Sequence, residues 1–441
     1  MPLKGISNIT RQGVVISSEQ IACECCDLTV EVSTLISGCK AHCPRCGHLL
    51  SSQTRNAFEK ATAFAASALL FLILSLPYPF LAFQSQGREQ QVSLLQSGYD
   101  LLVMGFPLLA LLLFVFILLI PAFVLIAHLF ILLPLLRDKA YSWSYGLARM
   151  LFTLHPWAMA EVFLIGVLVS LVKIAGMADL VIGMSFWAYL LFSLCLIITL
   201  SCVDRLQLWH ALDIASLNQR KKREYQYGGA KEQGLQSCSC CGLIHEVNEK
   251  VCLRCSSSLH SRLPYSIQRT WAFLITGALF YIPANLYPIM HTRLLGADEP
   301  STILGGVVTL WQHGSYPIAM VIFVASVLIP VAKMLVLFWL AYSIQAGHQK
   351  RVNERTWMYR MTELIGRWSM IDVFVVAVLV SLVQVGELVS IAPGIAANAF
   401  AGVVILTMLS ALSFDPRLIW DNLNGTEMGT DAARLNEPSV G

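Results

Sequence analysis

Charged residues are scarce in this sequence. They make up 13% of its 441 residues, about half the share that soluble domains usually carry. Apolar residues instead reach 56%, and the mean hydropathy is +0.66. This composition excludes an ordinary water-soluble globule, and we expect a protein whose main solvent is the lipid bilayer.

Catalytic motifs are also missing. The sequence has no Gly-x4-Gly-Lys-Ser/Thr loop for nucleotide phosphates, and no Ser/His/Asp arrangement can be recognised. We therefore expect that the protein is not an enzyme, and we expect no nucleic-acid partner. We also expect no cleavable signal peptide, because residues 1–60 are polar and cysteine-rich and the first apolar run is full length.

Long runs with few or no charges recur along the chain, and each has the roughly 20 residues needed to cross about 30 Å of hydrocarbon. We predict an all-α polytopic protein with eight spanning helices, near 61–83, 101–134, 157–176, 181–203, 271–291, 316–344, 368–385 and 395–414.

The second run, from Leu101 to Leu136, is longer than the bilayer requires. A tight hairpin of two helices is the alternative, but it would move everything that follows to the other side of the membrane. We prefer one long helix, tilted or bent at Pro107 or Pro121.

The basic residues predict the orientation. With eight spans the two termini share one side, and that side holds 26 of the 30 Lys and Arg residues. The opposite loops hold only Arg88 and Arg293. Because positive residues in short loops stay in the cytoplasm, we predict that both termini are cytoplasmic.

Two clusters of four cysteines lie on that side of the membrane. A reducing cytoplasm argues against disulfides, and paired Cys-x2-Cys motifs are the usual way to place four thiolates around zinc. The alternative is a redox-active Cys-x2-Cys pair. Cys25, Cys39 and Cys240 are spare thiols without an assigned role. We predict two structural Zn²⁺ sites, with the ligands Cys23, Cys26, Cys43, Cys46, Cys238, Cys241, Cys252 and Cys255.

The sequence repeats itself beyond the cysteines. The stretch from Trp157 to Ser170 matches the stretch from Trp368 to Ser381 at a constant offset of 211 residues. We therefore predict two tandem four-helix units, each preceded by a small cytoplasmic zinc ribbon. The predicted domains are a first ribbon at 1–55, a first membrane unit at 56–215, a basic linker and second ribbon at 216–262, a second membrane unit at 263–421 and a disordered tail at 422–441.

Between the second and third spans of each unit, apolar residues recur at helical spacing, as with Trp143 and Leu147 in the first and Trp357 and Leu364 in the second. This spacing predicts helices that lie in the interface of the inner leaflet. The alternative is a polar connector that packs on the ribbon.

Several motifs carry a family resemblance. The first-ribbon motif Cys43-Pro-Arg-Cys46-Gly47, the segment Pro283-Ala-Asn-Leu-Tyr-Pro288 and the segment Gly366-Arg-Trp-Ser-Met-Ile-Asp372 resemble the paraquat-inducible protein A and LetA-like family, over residues 20–421. The resemblance implies a tetraspanin- or claudin-like arrangement of the four-helix units in the inner membrane of Gram-negative bacteria. It also implies a periplasmic MCE-domain partner, an outer-membrane lipoprotein and movement of phospholipid between the two membranes.

Polar side chains inside spans are costly and mark functional sites. We predict a polar network of Ser326, Lys333, Asp372 and Thr407 in the second unit, which lines a lipid-headgroup or proton-responsive cleft. The alternative is that Lys333 and Asp372 form a satisfied ion pair that only fixes helix packing.

In the first unit the candidates are Glu161 and Lys173, twelve residues apart on the third span. Lys173 could equally extend to the interface without a role. These residues are compatible with the lipid transport that the resemblance implies, which the proton gradient could drive through the polar network of the second unit. The alternatives are a scaffold that anchors a periplasmic tunnel without handling lipid, and a membrane protein in which thiols exchange electrons with quinone.

Overall fold

The structure is a computed structural model of the chain. It describes residues 19–32, 38–85, 88–174, 179–216, 225–294, 297–312, 314, 316–382, 384–385 and 389–421. The predicted disordered tail at 422–441 and the basic run at 220–223 lie outside the described residues.

The chain begins with a first cysteine module, residues 19–32 and 38–52, built from two β-hairpins. Strands β1 and β2 pair antiparallel, as do β3 and β4. The strands are β1 (Glu19–Ala22), β2 (Leu28–Val32), β3 (Lys40–His42) and β4 (Leu49–Ser52).

The first half of the helical part follows directly. Its three strands form a sheet in the order β6-β5-β7, at the end of α1 that lies away from the first module. The elements are α1 (Ala57–Ser75), β5 (Leu81–Ser85), β6 (Arg88–Val92), α2 (Leu94–Val103), α3 (Pro107–Phe114), α4 (Ile120–Leu135), α5 (Ser142–Leu154), α6 (Ala160–Ile174), β7 (Asp179–Ile182), α7 (Met184–Cys202) and α8 (Arg205–Ala215).

The second cysteine module, residues 228–259, contains β8 (Gly228–Gly229), β9 (Leu235–Ser237) and β10 (Ile244–Glu246). Strand β8 pairs with β2, so the two modules share one sheet.

The second half repeats the element order of the first, with a sheet in the order β12-β11-β14-β13. A short 3-10 turn at 416–419 takes the place of α8. The elements are α9 (Ser266–Leu286), β11 (Met290–Leu294), β12 (Ala297–Ser301), α10 (Ile303–Gln312), α11 (Tyr316–Phe323), α12 (Ile329–Gln345), α13 (Val352–Trp368), α14 (Ile371–Leu382), β13 (Gln384–Val385), β14 (Val389–Pro393) and α15 (Ile395–Ser413).

Helices occupy all eight predicted spans, and six helical segments of the described chain are long and apolar enough to cross a membrane. These six are 57–75, 107–135, 142–171, 184–202, 319–345 and 395–413. Helix α9 has 21 residues but is more polar, and α14 has 12 residues. The structure is thus that of a helical membrane protein, and the count of eight spans stays a prediction.

The predicted long helix from Leu101 to Leu136 is one helix only from Pro107 onward. Its first residues belong instead to α2, and Gly105, with φ of +84°, makes the break. No hairpin divides the rest, which runs through a π-helical turn at 115–119 before Pro121. The same turn recurs at 324–328 before Pro330. Proline lacks an N–H, so the preceding turn must widen to keep its carbonyls bonded.

The two halves meet through helices α6 and α14, which carry the repeated sequence. Phe163 packs edge-on against its own counterpart Phe374, with ring centroids 5.7 Å apart. Gly166 lets the backbones approach, since a Cβ there would lie 3.1 Å from the Cβ of Phe374 and 3.3 Å from the carbonyl oxygen of Ile371. Each half therefore depends on the other for part of its core.

Helices α5 and α13 occupy the segments predicted to lie in the interface. Trp143, Trp357 and Leu364 are exposed on them, as such a helix requires. Helix α13 also contacts the first cysteine module, because Arg360 Nη2 donates to the carbonyl of Cys46 at 2.9 Å. A helix in the membrane interface and a connector that packs on the ribbon, the two alternatives for this segment, are thus compatible.

Candidate metal centres and membrane site

The structure brings the eight predicted cysteines together in two tetrads. One contains Cys23, Cys26, Cys43 and Cys46, and the other Cys238, Cys241, Cys252 and Cys255. Within each tetrad the four sulfur atoms lie within 4.8 Å of one another. Two sulfur pairs in each tetrad are 3.4–3.5 Å apart. Four thiolates at about 2.3 Å from one tetrahedral metal would stand roughly 3.8 Å apart, so both tetrads fit a zinc ion after a small expansion.

Every Cys-x2-Cys pair adopts the same knuckle turn. The residue after the second cysteine donates its N–H to the carbonyl of the first cysteine. The N–H of the first cysteine donates to the carbonyl of the residue five positions later in the chain. The residue after the second cysteine has a left-handed backbone in all four turns: Asp27, Gly47, Gly242 and Ser256, with φ of +55° to +76°. The backbone alone thus places the thiols in pairs that face each other.

Polar groups around the sulfurs were not visible in the sequence pattern. In the second tetrad, the hydroxyl of Ser257 lies 3.1 Å from Cys238 Sγ, and His245 Nε2 lies 3.4 Å from Cys252 Sγ. The other ring nitrogen of His245 contacts Glu249, which fixes the ring. Hydrogen bonds from Cys241 and Cys252 lower the pKa of Cys238, whereas hydrogen bonds with the other sulfurs of the tetrad raise the pKa of Cys241. A metal would need all four in the thiolate form.

The spare cysteines stand outside the tetrads. Cys25 is buried, Cys240 is half-buried and Cys39 is exposed, and all thirteen cysteines of the chain are free thiols in the structure. Burial raises the pKa of Cys25 to about 12. A buried thiol with a raised pKa is a poor nucleophile.

The cysteine modules are crossed relative to the halves that follow them. The core of the first module packs against side chains of the second half: Leu340, Val352, Tyr359, Phe414, Ile419 and Trp420. The core of the second module packs against side chains of the first half: Phe58, Leu132, Ala148, Leu151, Trp209 and Leu212. Chain order does not predict this pairing, which burial of apolar surface selects. Ile21 and Val32 of the first module also pack on Leu206 of α8.

Ionic contacts join both modules to the end of the second half. Arg262, which follows the second module, donates through Nη2 to Asp27 at 2.8 Å and to Asp421 at 2.6 Å. Lys231 also reaches Asp421, at 2.9 Å. Burial alone would raise the pKa of Asp421, but hydrogen bonds from Arg262 and Lys231 outweigh it and hold the pKa below its ordinary value. Three chain segments thus meet at one arginine.

The predicted polar network is only partly described. Ser326 and Lys333 are buried, and Lys333 Nζ has no hydrogen-bond partner among the described atoms. A Cβ on Gly366 would lie 3.1 Å from Nζ, so the ammonium group lies against the end of α13. Thr407 is also buried, and its hydroxyl donates to the carbonyl of Val404 in its own helix.

Two predicted residues cannot be placed in a contact. The side chains of Asp372 and Lys173 lie outside the described part, although both residues belong to described helices, α14 and α6. Glu161 begins α6 and is half-buried. The network of Ser326, Lys333, Asp372 and Thr407 therefore stays a prediction.

The two halves differ in how fully helices α6 and α14 are covered by the neighbouring short helices. In the first half, α2 and α3, which we call the first arm, pack on α14. The remaining cavity there is only about 10 Å³, and Leu379 of α14 is 4% exposed. This side is closed.

The corresponding second arm, α10 and α11, packs on itself and on the π-helical turn, and it makes no comparable contact with α6 among the described residues. Leu168, the counterpart of Leu379, is 46% exposed. On the arms themselves, Leu112 is 7% exposed and its counterpart Val321 is 54% exposed. The second arm thus leaves Leu168 and Val321 as exposed apolar surface at the level of the spanning helices. We call this surface the open side of the second arm, which belongs to the half that also contains Lys333.

The fold and these sites define a helical membrane protein with two four-cysteine modules that can hold metal. A family model described as Paraquat-inducible protein A matches residues 58–213 and 267–424, once in each half. The chain therefore belongs to the paraquat-inducible protein A family.

Similar proteins cover nearly the whole chain. It is 43% identical over 409 residues to the intermembrane transport protein PqiA of Escherichia coli strain K12, which is 92% of this chain and 96% of that protein. It is 28% identical to a probable intermembrane transport protein of Haemophilus influenzae, over 91% of this chain and 95% of that protein. It is 27% identical to the lipophilic envelope-spanning tunnel protein A of Escherichia coli strain K12, over 90% of both. No solved structure matches the chain.

Proposed function

We propose that the protein is the inner-membrane subunit of an MCE-type lipid-transport system of a Gram-negative bacterium. In this role it moves phospholipid between the inner membrane and a periplasm-spanning tunnel, with both termini and both zinc-bound modules in the cytoplasm. The names of its relatives, intermembrane transport protein and envelope-spanning tunnel protein, support a role in transport between membranes. These names describe transport proteins and not enzymes.

The observation that carries the proposal is the position of Lys333. Lys333 is 3% exposed, its ammonium group has no hydrogen-bond partner among the described atoms, and the residue lies in the half whose arm is open. A buried cation in a spanning helix is costly and marks a functional site. The phosphate of a phospholipid that enters between α6 and the second arm would supply an anionic partner, while the acyl chains contact the apolar faces of Leu168 and Val321.

Proton coupling is the energy source that this site suggests. Lys333 and Asp372 are the ionisable pair of the predicted network, and a change in their protonation would alter the affinity for a phosphate. The proposed partner is a periplasmic MCE-domain protein, which would bind the end of the protein that carries the sheets β6-β5-β7 and β12-β11-β14-β13. An outer-membrane lipoprotein is proposed at the other end of the tunnel. Phospholipid is the proposed cargo.

The test is transfer of a fluorescent phospholipid from proteoliposomes that contain the protein and its MCE-domain partner to acceptor vesicles, with a proton gradient imposed. We expect Lys333→Ala and Asp372→Asn to reduce the transfer rate at least tenfold, and an ionophore to reduce the wild-type rate to the same level. Lys350→Ala, at an exposed lysine beyond α12, is the matched control. Unchanged transfer in both variants, with the partner still bound, would show that the protein is a scaffold.

A further inference from the structure

A cavity of about 450 Å³ lies between the first cysteine module and α13. This volume is typical of small-ligand sites. The cavity combines two guanidinium groups, one carboxylate, one amide and an indole ring. Its lining residues are Arg45, Cys46, Asn353, Glu354, Trp357 and Arg360.

The positive charge at this cavity is not neutralised by protein carboxylates. Arg360 Nη2 is held by the carbonyl of Cys46 at 2.9 Å and by its sulfur at 3.3 Å. The guanidinium carbon of Arg45 lies 4.5 Å from the ring centroid of Trp420. Neither arginine has a carboxylate partner within the described part of the chain. A cation fixed over an aromatic ring keeps its other donors available.

In the second module, the arginine at the equivalent position pairs with a carboxylate. Both modules contain a Cys-x-Arg-Cys knuckle, and Arg254 is the counterpart of Arg45. Arg254 is buried, and its Nε donates to Asp213 at 2.8 Å. Arg45 occupies the same turn in the first module, but it lines the cavity, whereas Arg254 contacts a carboxylate.

The cavity also adjoins an exposed apolar helix face of the kind that suits a membrane surface. Helix α13 exposes an apolar face formed by Trp357, Leu364, Ile365 and Trp368, spaced as one side of a helix. Trp357, 59% exposed, belongs both to this face and to the lining of the cavity. Tryptophan side chains favour the headgroup region of a bilayer, so the opening of the cavity meets the headgroups of the adjoining leaflet.

We propose that this cavity binds the headgroup of a zwitterionic phospholipid, phosphatidylethanolamine in chemical type. The phosphate lies between Arg45 and Arg360, because guanidinium groups bind phosphate with two parallel hydrogen bonds. The ammonium group lies at Glu354, whose exposed pair with Arg351 at 3.6 Å is weak enough to exchange. The site lies on the module side of the helices and does not depend on the proposed transport.

The first half has no equivalent site. Position 146 on α5, the counterpart of Trp357, is glycine, and Arg149, the counterpart of Arg360, is exposed. We therefore expect one such headgroup for each chain, bound beside the first module.

The experiment uses full-length protein, delipidated in a maltoside detergent, and isothermal titration calorimetry. The ligands are dihexanoyl phosphatidylethanolamine, dihexanoyl phosphatidylglycerol and O-phosphoethanolamine, and inorganic phosphate is a fourth arm. We expect Arg45→Gln to weaken the binding of the ethanolamine lipid about tenfold, the usual scale for one charged hydrogen bond. Arg149→Gln, the matched control on α5, should change it less than twofold, and bound metal should be equal in both variants.

A second variant keeps the test decisive if Arg45→Gln disturbs the module. Glu354 is exposed, so Glu354→Gln should leave metal content unchanged, while it removes the wild-type preference for phosphatidylethanolamine over phosphatidylglycerol. In a Lys333→Ala background, which removes the proposed transport site, Arg45→Gln should still weaken the binding of the ethanolamine lipid about tenfold, and this result separates the two sites. Equal lipid affinity in the wild type, Arg45→Gln and Glu354→Gln would overturn the proposal. Binding of O-phosphoethanolamine or inorganic phosphate as tight as that of the lipid would show a soluble phosphate ester as the ligand, and would overturn the lipid assignment.

Discussion

Arg262 should be the residue whose loss most weakens the contact between the two modules and the second half. Its side chain is 13% exposed, and those of its partners Asp27 and Asp421 are 6% and 15% exposed. Removing one partner of a buried ion pair costs about 3–5 kcal/mol. Because Asp421 keeps Lys231 and Asp27 keeps one backbone N–H, we expect Arg262→Met to cost about 3 kcal/mol, the low end of that range.

Hydrogen exchange of the detergent-solubilised protein measures this cost locally. We expect the amides of β2 and of the 416–419 turn to exchange roughly a hundredfold faster in Arg262→Met, since 1.4 kcal/mol corresponds to about a factor of ten. Arg269→Met, at an exposed arginine seven residues further on, is the control and should leave these amides unchanged.

A second substitution distinguishes charge from packing. Asp27→Asn removes the carboxylate that Arg262→Met leaves buried, and asparagine tolerates the left-handed backbone of position 27. The double variant should therefore recover part of the lost protection. Strictly additive losses, or a loss below about 1 kcal/mol in Arg262→Met, would refute the role given to this ion pair.

Three further predictions concern other contacts. Gly166→Ala should destabilise the contact between α6 and α14 by about 1–3 kcal/mol through overpacking, whereas Gly146→Ala, which meets nothing within 4 Å, should be neutral or stabilising in the same thermal melt. Asp421 has a lower pKa in the folded chain than its ordinary value of 3.8. Its contribution to stability is therefore full above pH 3.8 and is lost as the pH falls through the pKa of the folded state. Asp421→Asn should flatten the acid limb of a curve of stability against pH, and an unchanged limb would contradict this. Cys43→Ser should release bound metal and speed exchange in α13, while Cys252→Ser should do so in α5 and α8; the opposite pattern would mean that the modules are not crossed.

The cysteine clusters could be predicted from the sequence because their chemistry is local. The Cys-x2-Cys spacing fixes the knuckle turns, and four such turns leave few other ways to arrange eight thiols. The helices could likewise be predicted from apolar runs. A bend was expected at Pro107, but not the full break at Gly105, because the residues from Leu101 to Met104 are apolar and continue into the run that follows Gly105.

The crossed packing of the modules and the open second arm could not be predicted in this way. Both depend on which apolar surfaces meet in space, and residues such as Trp420 and Leu168 have the same hydropathy whether covered or exposed. The repeat places Leu168 and Leu379 at equivalent positions in the sequence. Only the positions of the two arms separate them.

The central claim is that the second half binds a phospholipid at Lys333 through its open arm. Native mass spectrometry of protein purified gently from membranes, read for bound zinc and bound phospholipid together, tests it most directly. The account predicts two zinc ions in both proteins, and one phospholipid fewer in Lys333→Ala than in the wild type. Equal phospholipid occupancy in the two proteins, with both zinc ions present, would contradict it.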